Sequence, residues 1–255
     1  MNGIWIYPAG NSAALRYAGE ELKGRGLEVV DSPSPDATHL LLPVPSFEAD
    51  GRIRFGGILE HILGKLSESV TVIGGNLHHP ALRTYRTVDL MEDPIYVAKN
   101  AAVTAECAIG VAMNNLSTVL YGCPMLVIGW GRIGKCLAAK LKALGAEVTV
   151  AARKPTDRAM LSALGYNAED TATLKYSLIR YRVIFNTVPE RVLPAEKAAH
   201  CRSDCLKIEL ASTDGIEAAG VIKARGLPGK EAPEASGQLI AEAVLRALAG
   251  KELLS

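Results

Sequence analysis

The stretch "PMLVIGWGRIGKCLAAKLKALGAEVTVAARK", Pro124 to Lys154, decides the fold. An apolar run ends at Gly129. Gly131 and Gly134 follow in the order G-x-G-x-x-G, and Ile133, Leu137, Leu141 and Leu144 then recur at helical spacing. Gly145 ends that helix before a second apolar run, "EVTVAA". Strand, glycine turn, helix and strand in this order give the spacing its meaning. The first glycine allows a turn that a Cβ would forbid. The second lets the main chain come close to a pyrophosphate, and the third lets the helix lie against the strand. Unpaired N–H groups and the helix dipole favour negative charge at that helix end. The pattern predicts a Rossmann-type dinucleotide site carried by Gly129, Gly131 and Gly134.

The end of the second strand bears on which dinucleotide. A carboxylate about 20 residues after the loop commonly holds the ribose of NAD. Here the chain reads Ala151, Ala152, Arg153, Lys154, with Glu147 too early and Asp157 too late. The planar fork of Arg153 suits phosphate oxygens, and Lys154 and Thr156 stand beside it. The expectation is NADP rather than NAD, against the alternative of a solvated basic loop. A third run, "VIFNTVP", Val183 to Pro189, reads as a strand ending near the switch point of the sheet. Asn186 and Thr187 would then offer polar contacts to the nicotinamide or its ribose, the alternative being plain turn chemistry.

The 255-residue chain has room for one large domain or two modest ones. Lysine and arginine number 28 against 27 acids, a net charge of +1, so no bulk field draws nucleic acid or an acidic membrane. The five cysteines, Cys107, Cys123, Cys136, Cys201 and Cys205, form no disulfide framework and fit a reducing compartment. The N-terminus lacks the basic and apolar regions of a signal peptide. The uncharged stretch Cys107–Gly131 reads as helix, turn and strand rather than a membrane span. The expectation is a cytoplasmic protein.

Before Pro94 the chain alternates strands ("IWIYP", "LEVVD", "THLLLPVP", "VTVIGG", "TVDLMED") with helices, and "FEADGRIRF" resembles a hairpin. Pro94 reads as a boundary, with Thr104 a candidate cap of the next helix. After the glycine loop come a helix near Arg158–Leu164 and the strands "LKIELAS" and "GVIKA". The fold class expected is α/β: a Rossmann-type doubly wound parallel sheet plus a flavodoxin-like N-terminal domain. The expected domains are 1–98, flavodoxin-like, and 99–234, dinucleotide-binding, with a final helix at 235–252 packing back on the first.

Weaker signals have plainer roles. His200, Cys201 and Cys205 are too few for a zinc site, so no metal is expected. His78 and His79 read as turn residues before Pro80. Ser212 lacks the setting of a nucleophile. The run "ARGLPGKEAPEASGQ", Ala224 to Gln238, reads as a loop across a cleft, with Lys230 as its anion contact and Glu231 and Glu234 as solvent or helix-start charges. Glu106 reads equally as a surface charge or a substrate contact.

Together "TAECAIGVAMNN", "LYGCPMLVIGWGRIG", "AARK", "FNTVPERVL", "IELAS" and "GLPGKEAPEASGQLIAEAVL" resemble the dipicolinate synthase A family, the dihydrodipicolinate-oxidising component of that enzyme. The likeness is strong over roughly Asn100–Leu248, and the run Gly226–Gln238 is its most specific piece. It implies an NADP-dependent dehydrogenase that oxidises dihydrodipicolinate to dipicolinate for spores, with the flavoprotein-like dipicolinate synthase B as partner. It also implies that Gly129, Gly131, Arg132, Ile133 and Gly134 hold the pyrophosphate. Arg153 and Lys154 would meet the 2′-phosphate, and Thr187 and Pro189 would lie along the nicotinamide. The chain departs from the family at "TDGIEAAGVIKAR", Thr213–Arg225, where a longer glycine-bearing stretch is usual, and reads as a divergent member.

A small dicarboxylate substrate calls for cations, for which Lys230, Arg83 and Arg16 are the candidates. A homo-oligomer is expected. Two alternatives stay open. One is a D-2-hydroxyacid-dehydrogenase-like oxidoreductase, which would need an Arg, an acid and a late His, whereas the last histidine here is His200. The other is a non-catalytic NADP-binding protein that scaffolds a partner.

Overall fold

The computed structural model describes residues 3–252. Its packing divides the chain into unit 1, Met1–Asn100 with Pro228–Ser255, and unit 2, Ala101–Leu227.

Unit 1 begins with β1 (Trp5–Pro8), α1 (Ala13–Gly24), β2 (Glu28–Val29), β3 (His39–Leu41), α2 (Leu59–Leu63), β4 (Thr71–Gly74) and β5 (Arg86–Asp89). All strand pairs are parallel, in the order β2-β1-β3-β4-β5, which is the flavodoxin-like order 2-1-3-4-5. Ser12 caps α1 by accepting from the Leu15 N–H at 3.1 Å. The "FEADGRIRF" turn pairs Phe47 with Ile53 through one antiparallel bridge. Next comes α3 (Pro94–Asn115), which runs on into unit 2. Pro94 opens this helix, since proline at a first turn forfeits no hydrogen bond, and the division between the units falls a little later, after Asn100. Asp93 accepts from the Ile95 N–H at 2.8 Å, and Thr104, read as a cap, lies mid-helix.

By length and composition α3 could cross a membrane. In this fold Tyr96 and Val97 are buried in the core of unit 1, and Ala101, Ala105, Ala108, Ile109 and Ala112 are buried as well.

Unit 2 continues with β6 (Pro124–Ile128), α4 (Arg132–Ala143), β7 (Glu147–Ala151), α5 (Pro155–Ala163), β8 (Asn167–Glu169), β9 (Val183–Asn186), α6 (Ala195–Ala198), β10 (Leu206–Glu209) and β11 (Val221–Lys223). The six strands are parallel in the order β11-β10-β9-β6-β7-β8, the doubly wound order with its switch between β6 and β9. Met125, Leu126, Val127 and Ile128 are all fully buried, as a central strand covered on both faces requires. The short β8 is not among the strands read from the sequence.

The chain closes with α7 (Leu227–Glu231) and α8 (Pro233–Glu252). The segment expected as a loop over Ala224–Gln238 is thus largely helical, interrupted at Ala232 and restarted by Pro233 at a first helical position. Ile240, Ala241, Val244 and Leu248 of α8 share a core with Leu15, Ala18 and Leu22 of α1. Both partners belong to unit 1.

Candidate functional site

The glycine turn leaves β6 with Gly129 at φ 108°, a backbone shape that side chains rarely adopt. A Cβ there would fall 2.4 Å from Thr187 Oγ1. Gly134 lies in the first turns of α4, and a Cβ on it would come within 2.1 Å of the Gly129 carbonyl oxygen. The third glycine therefore sets the contact between helix and strand. Gly131, the N-cap of α4, would meet nothing within 4 Å. The space in front of it is open, as a site for a bulky anion at a helix amino end requires. Arg132 is exposed in that first turn, and Ile133 turns inward to pack on the core of unit 2.

Beside this turn lies a cavity of about 240 Å³, lined by Gly129, Trp130, Gly131, Ala152, Arg153 and Glu190 among others. Lys154 and Asp157 line it too, while Thr156 is exposed and outside it. Arg153 Nη1 stands 3.3 Å from Glu190 Oε2, and the two side chains are 74% and 62% exposed. The backbone under Arg153 is clamped by Arg158, whose Nη1 donates to the Ala152 carbonyl at 2.9 Å and the Arg153 carbonyl at 2.7 Å. Arg158 is itself paired with Asp170 at 3.0 Å.

The β9 end is arranged differently from the sequence expectation. Thr187 reaches the glycine turn, its Oγ1 donating to the Ile128 carbonyl at 2.9 Å. Pro189 is exposed just beyond it. Asn186, expected as a cofactor contact, is fully buried. Its Nδ2 donates to the Val188 carbonyl at 3.0 Å and to Glu209 Oε1 at 2.8 Å, and its Oδ1 accepts from the Val188 N–H. Its polar atoms are engaged inside the protein, where it shapes the wall beside the glycine turn.

Glu209, which the sequence reading missed, is 1% exposed at the end of β10. Besides Asn186 it accepts from the N–H groups of Ala211, Gly215 and Ile216. These donors take the place of a cation around a buried carboxylate. The acid is visible in "IELAS", but only the return of the 211–216 loop reveals its role.

The residues expected on the substrate side belong to both units, Arg16, Arg83 and Lys230 to unit 1 and Glu106 to unit 2. Glu106 is exposed and paired with Lys140 at 2.9 Å in unit 2. Arg16 lies on α1, bound to Glu20 at 3.0 Å and over the Tyr17 ring. Arg83 borders a separate cavity of unit 1 with His78 and His79, and Lys230 is exposed on α7. A larger cavity of unit 1, about 820 Å³, lies at the amino ends of β3, β4 and β5. Ligands of such sheets bind at the opposite, carboxyl edge.

Near α6, Cys201 and Cys205 form a thiol pair. The neighbouring Cys205 thiol draws Cys201 down to about 7; burial opposes this, and the Lys207 ammonium adds to it. Cys205 itself is pushed up. Among the described residues no group of three or more His, Cys, Asp or Glu side chains could hold a metal ion.

Residues 99–196 match the family described as "D-isomer specific 2-hydroxyacid dehydrogenase, NAD binding domain". The A component of dipicolinate synthase from Bacillus subtilis (strain 168) is 30% identical over 172 residues, 64% of this chain and 58% of that protein. The chain thus aligns with less than two thirds of that relative's length. In fold, the crystal structure of the same component from Bacillus halodurans matches with a TM-score of 0.83 and 23% identity, covering 98% of each chain. The crystal structure from Bacillus subtilis matches with a TM-score of 0.82 and 22% identity, covering 100% of this chain and 99% of the other. The glycine cradle fits the nucleotide that this family domain holds. The chain is similar to the dipicolinate synthase A protein of Bacillus subtilis, and over residues 99–196 it carries the nucleotide-binding domain of an NAD(P)-dependent oxidoreductase.

Proposed function

We propose that the protein oxidises dihydrodipicolinate to dipicolinate with NADP, in the cytoplasm, as one part of spore dipicolinate synthesis. The observation that carries the nucleotide half is the open amino end of α4 at Gly131, with Arg153 and Lys154 at the same cavity. The substrate half rests on the likeness to dipicolinate synthase A.

When bound, NADP supplies a hydride acceptor, and aromatisation of the dihydropyridine ring drives the transfer. The N–H groups at the start of α4 would bind the pyrophosphate. Arg153 and Lys154 would bind the 2′-phosphate. Thr187 and Pro189 would border the nicotinamide. Arg83 and Lys230, both exposed, would meet the substrate carboxylates, whereas Arg16 and Glu106 are engaged elsewhere. Asn186 would act by holding Val188 and the buried Glu209 in place. No side chain of the site stands out as a base, so water takes the released proton. The reading includes assembly with dipicolinate synthase B and with further copies of the chain.

A second reading, a D-2-hydroxyacid-dehydrogenase-like reductase, is favoured by the family match over residues 99–196. The experiment is turnover by the full chain, alone and with dipicolinate synthase B. NADPH formation from NADP+ and dihydrodipicolinate supports the first reading. NADPH consumption with a 2-oxo acid supports the second. Nucleotide binding without either turnover would make the protein a scaffold and overturn both.

A further inference from the structure

We propose that Glu190 sets the choice between NADPH and NADH, as a carboxylate that holds Arg153 and must release it to a 2′-phosphate. The inference rests on the reading that Arg153 faces that phosphate.

Four charged side chains line the cavity: Arg153 and Lys154 against Asp157 and Glu190. The cavity is therefore neutral overall, although its sequence signal is basic. Of the two acids, Glu190 forms the ion pair with Arg153, at 3.3 Å and 3.5 Å to its two oxygens.

Both backbones are held in place. Arg158 clamps the Ala152 and Arg153 carbonyls. On the other side, the N–H groups of Val192 and Leu193 both donate to the Gly215 carbonyl, and Gly215 is tied by its own N–H to Glu209. Glu190 thus stands on a segment anchored at both ends, at Asn186–Val188 and at Val192–Leu193.

A 2′-phosphate needs the guanidinium whose Nη1 Glu190 engages, and it brings negative charge next to that carboxylate. A 2′-hydroxyl needs neither that guanidinium nor the displacement of Glu190. The carboxylate therefore weighs against NADPH and is indifferent to NADH.

The test is titration of NADPH and NADH into the full chain carrying Glu190→Gln, Asp157→Asn, Arg153→Ala, or Arg153→Ala with Glu190→Gln, at low and high salt. Removing an exposed like charge of this kind is expected to tighten NADPH about fivefold with Glu190→Gln, leaving NADH within about twofold. The gain should shrink at high salt and vanish in the Arg153→Ala background. No change in the NADPH:NADH ratio, weaker NADH binding, or an equal gain from Asp157→Asn would each overturn the proposal. If Arg153→Ala alone leaves NADPH binding intact, the phosphate role of Arg153 fails instead, and that result is separate from the Glu190 comparison.

Discussion

Asn186 and Glu209 stand opposite one another in register at the carboxyl ends of β9 and β10, and Asn186 Nδ2 donates to Glu209 Oε1 at 2.8 Å. Glu209 in turn draws in the Gly215 N–H at 2.8 Å, so one buried acid joins the strand wall to the 211–216 loop. Glu209→Gln would point an amide N–H₂ at one of these donors. The expected loss is about 2–3 kcal/mol, read by urea unfolding, with weaker nucleotide binding. Adding Asn186→Asp supplies an acceptor for the new amide. Part of the loss should return, and a purely additive double variant would refute the pairing.

The two inner glycines of the turn should separate stability from binding. Gly134→Ala drives a methyl into the Gly129 carbonyl and should cost about 3 kcal/mol in thermal or denaturant unfolding. Gly131→Ala meets open space, so stability should move by no more than about 0.5 kcal/mol. Its NADPH affinity should still fall roughly tenfold, about 1.4 kcal/mol, because the methyl enters the space facing the helix end.

Arg153→Ala should weaken NADPH about tenfold or more, the size of a lost charge-assisted contact, and leave NADH almost unchanged. Fluorescence titration of Trp130, which lines the same cavity, can follow both ligands.

Asp93 caps α3 and pairs with Arg246 of α8 at 2.6 Å. Burial pushes its carboxyl up, but the Arg246 contact and the Ile95 and Tyr96 N–H groups outweigh it and hold it below the usual range. Stability from a depressed carboxyl is fully present above its unfolded value, about pH 4, and is lost as pH falls through the folded value. Asp93→Asn should cost about 1 kcal/mol at neutral pH and flatten the acid limb of unfolding below pH of about 4.

Cys201 should be the thiol that alkylates first, with its rate half-maximal near its pKa of about 7. Cys205, buried and pushed up, should lag behind it. Lys207→Met should move the Cys201 midpoint upward, as mass spectrometry of iodoacetamide-treated samples at several pH values would show.

What was legible in the sequence follows from the range of the forces involved. The glycine turn and its flanking strands are local, and "PMLVIGWGRIG" carries them within one short stretch. The parallel α/β class of both sheets followed from the alternation of strands and helices. Pro94 was legible as a boundary, but the helix start was read as late as Thr104, because the Asp93 carboxylate that caps it precedes the proline and stands outside the apolar run. Asn186 looked like a ligand contact because its surface role and its buried role share the same letter. Its partner Glu209 lies 23 residues away, beyond any local pattern. Glu190 was passed over for the same reason, since its partner Arg153 belongs to the neighbouring crossover.

The chain leaves unit 1 at Asn100 and re-enters it at Pro228. Unit 2 is continuous, so its sheet can close while the last helix is still inside the ribosome. The apolar face of α1, Leu15, Ala18 and Leu22, has to wait for Ile240, Ala241 and Val244 to emerge. During synthesis the nucleotide-binding half is thus complete first, and the apolar face of α1 stays uncovered until α8 has emerged.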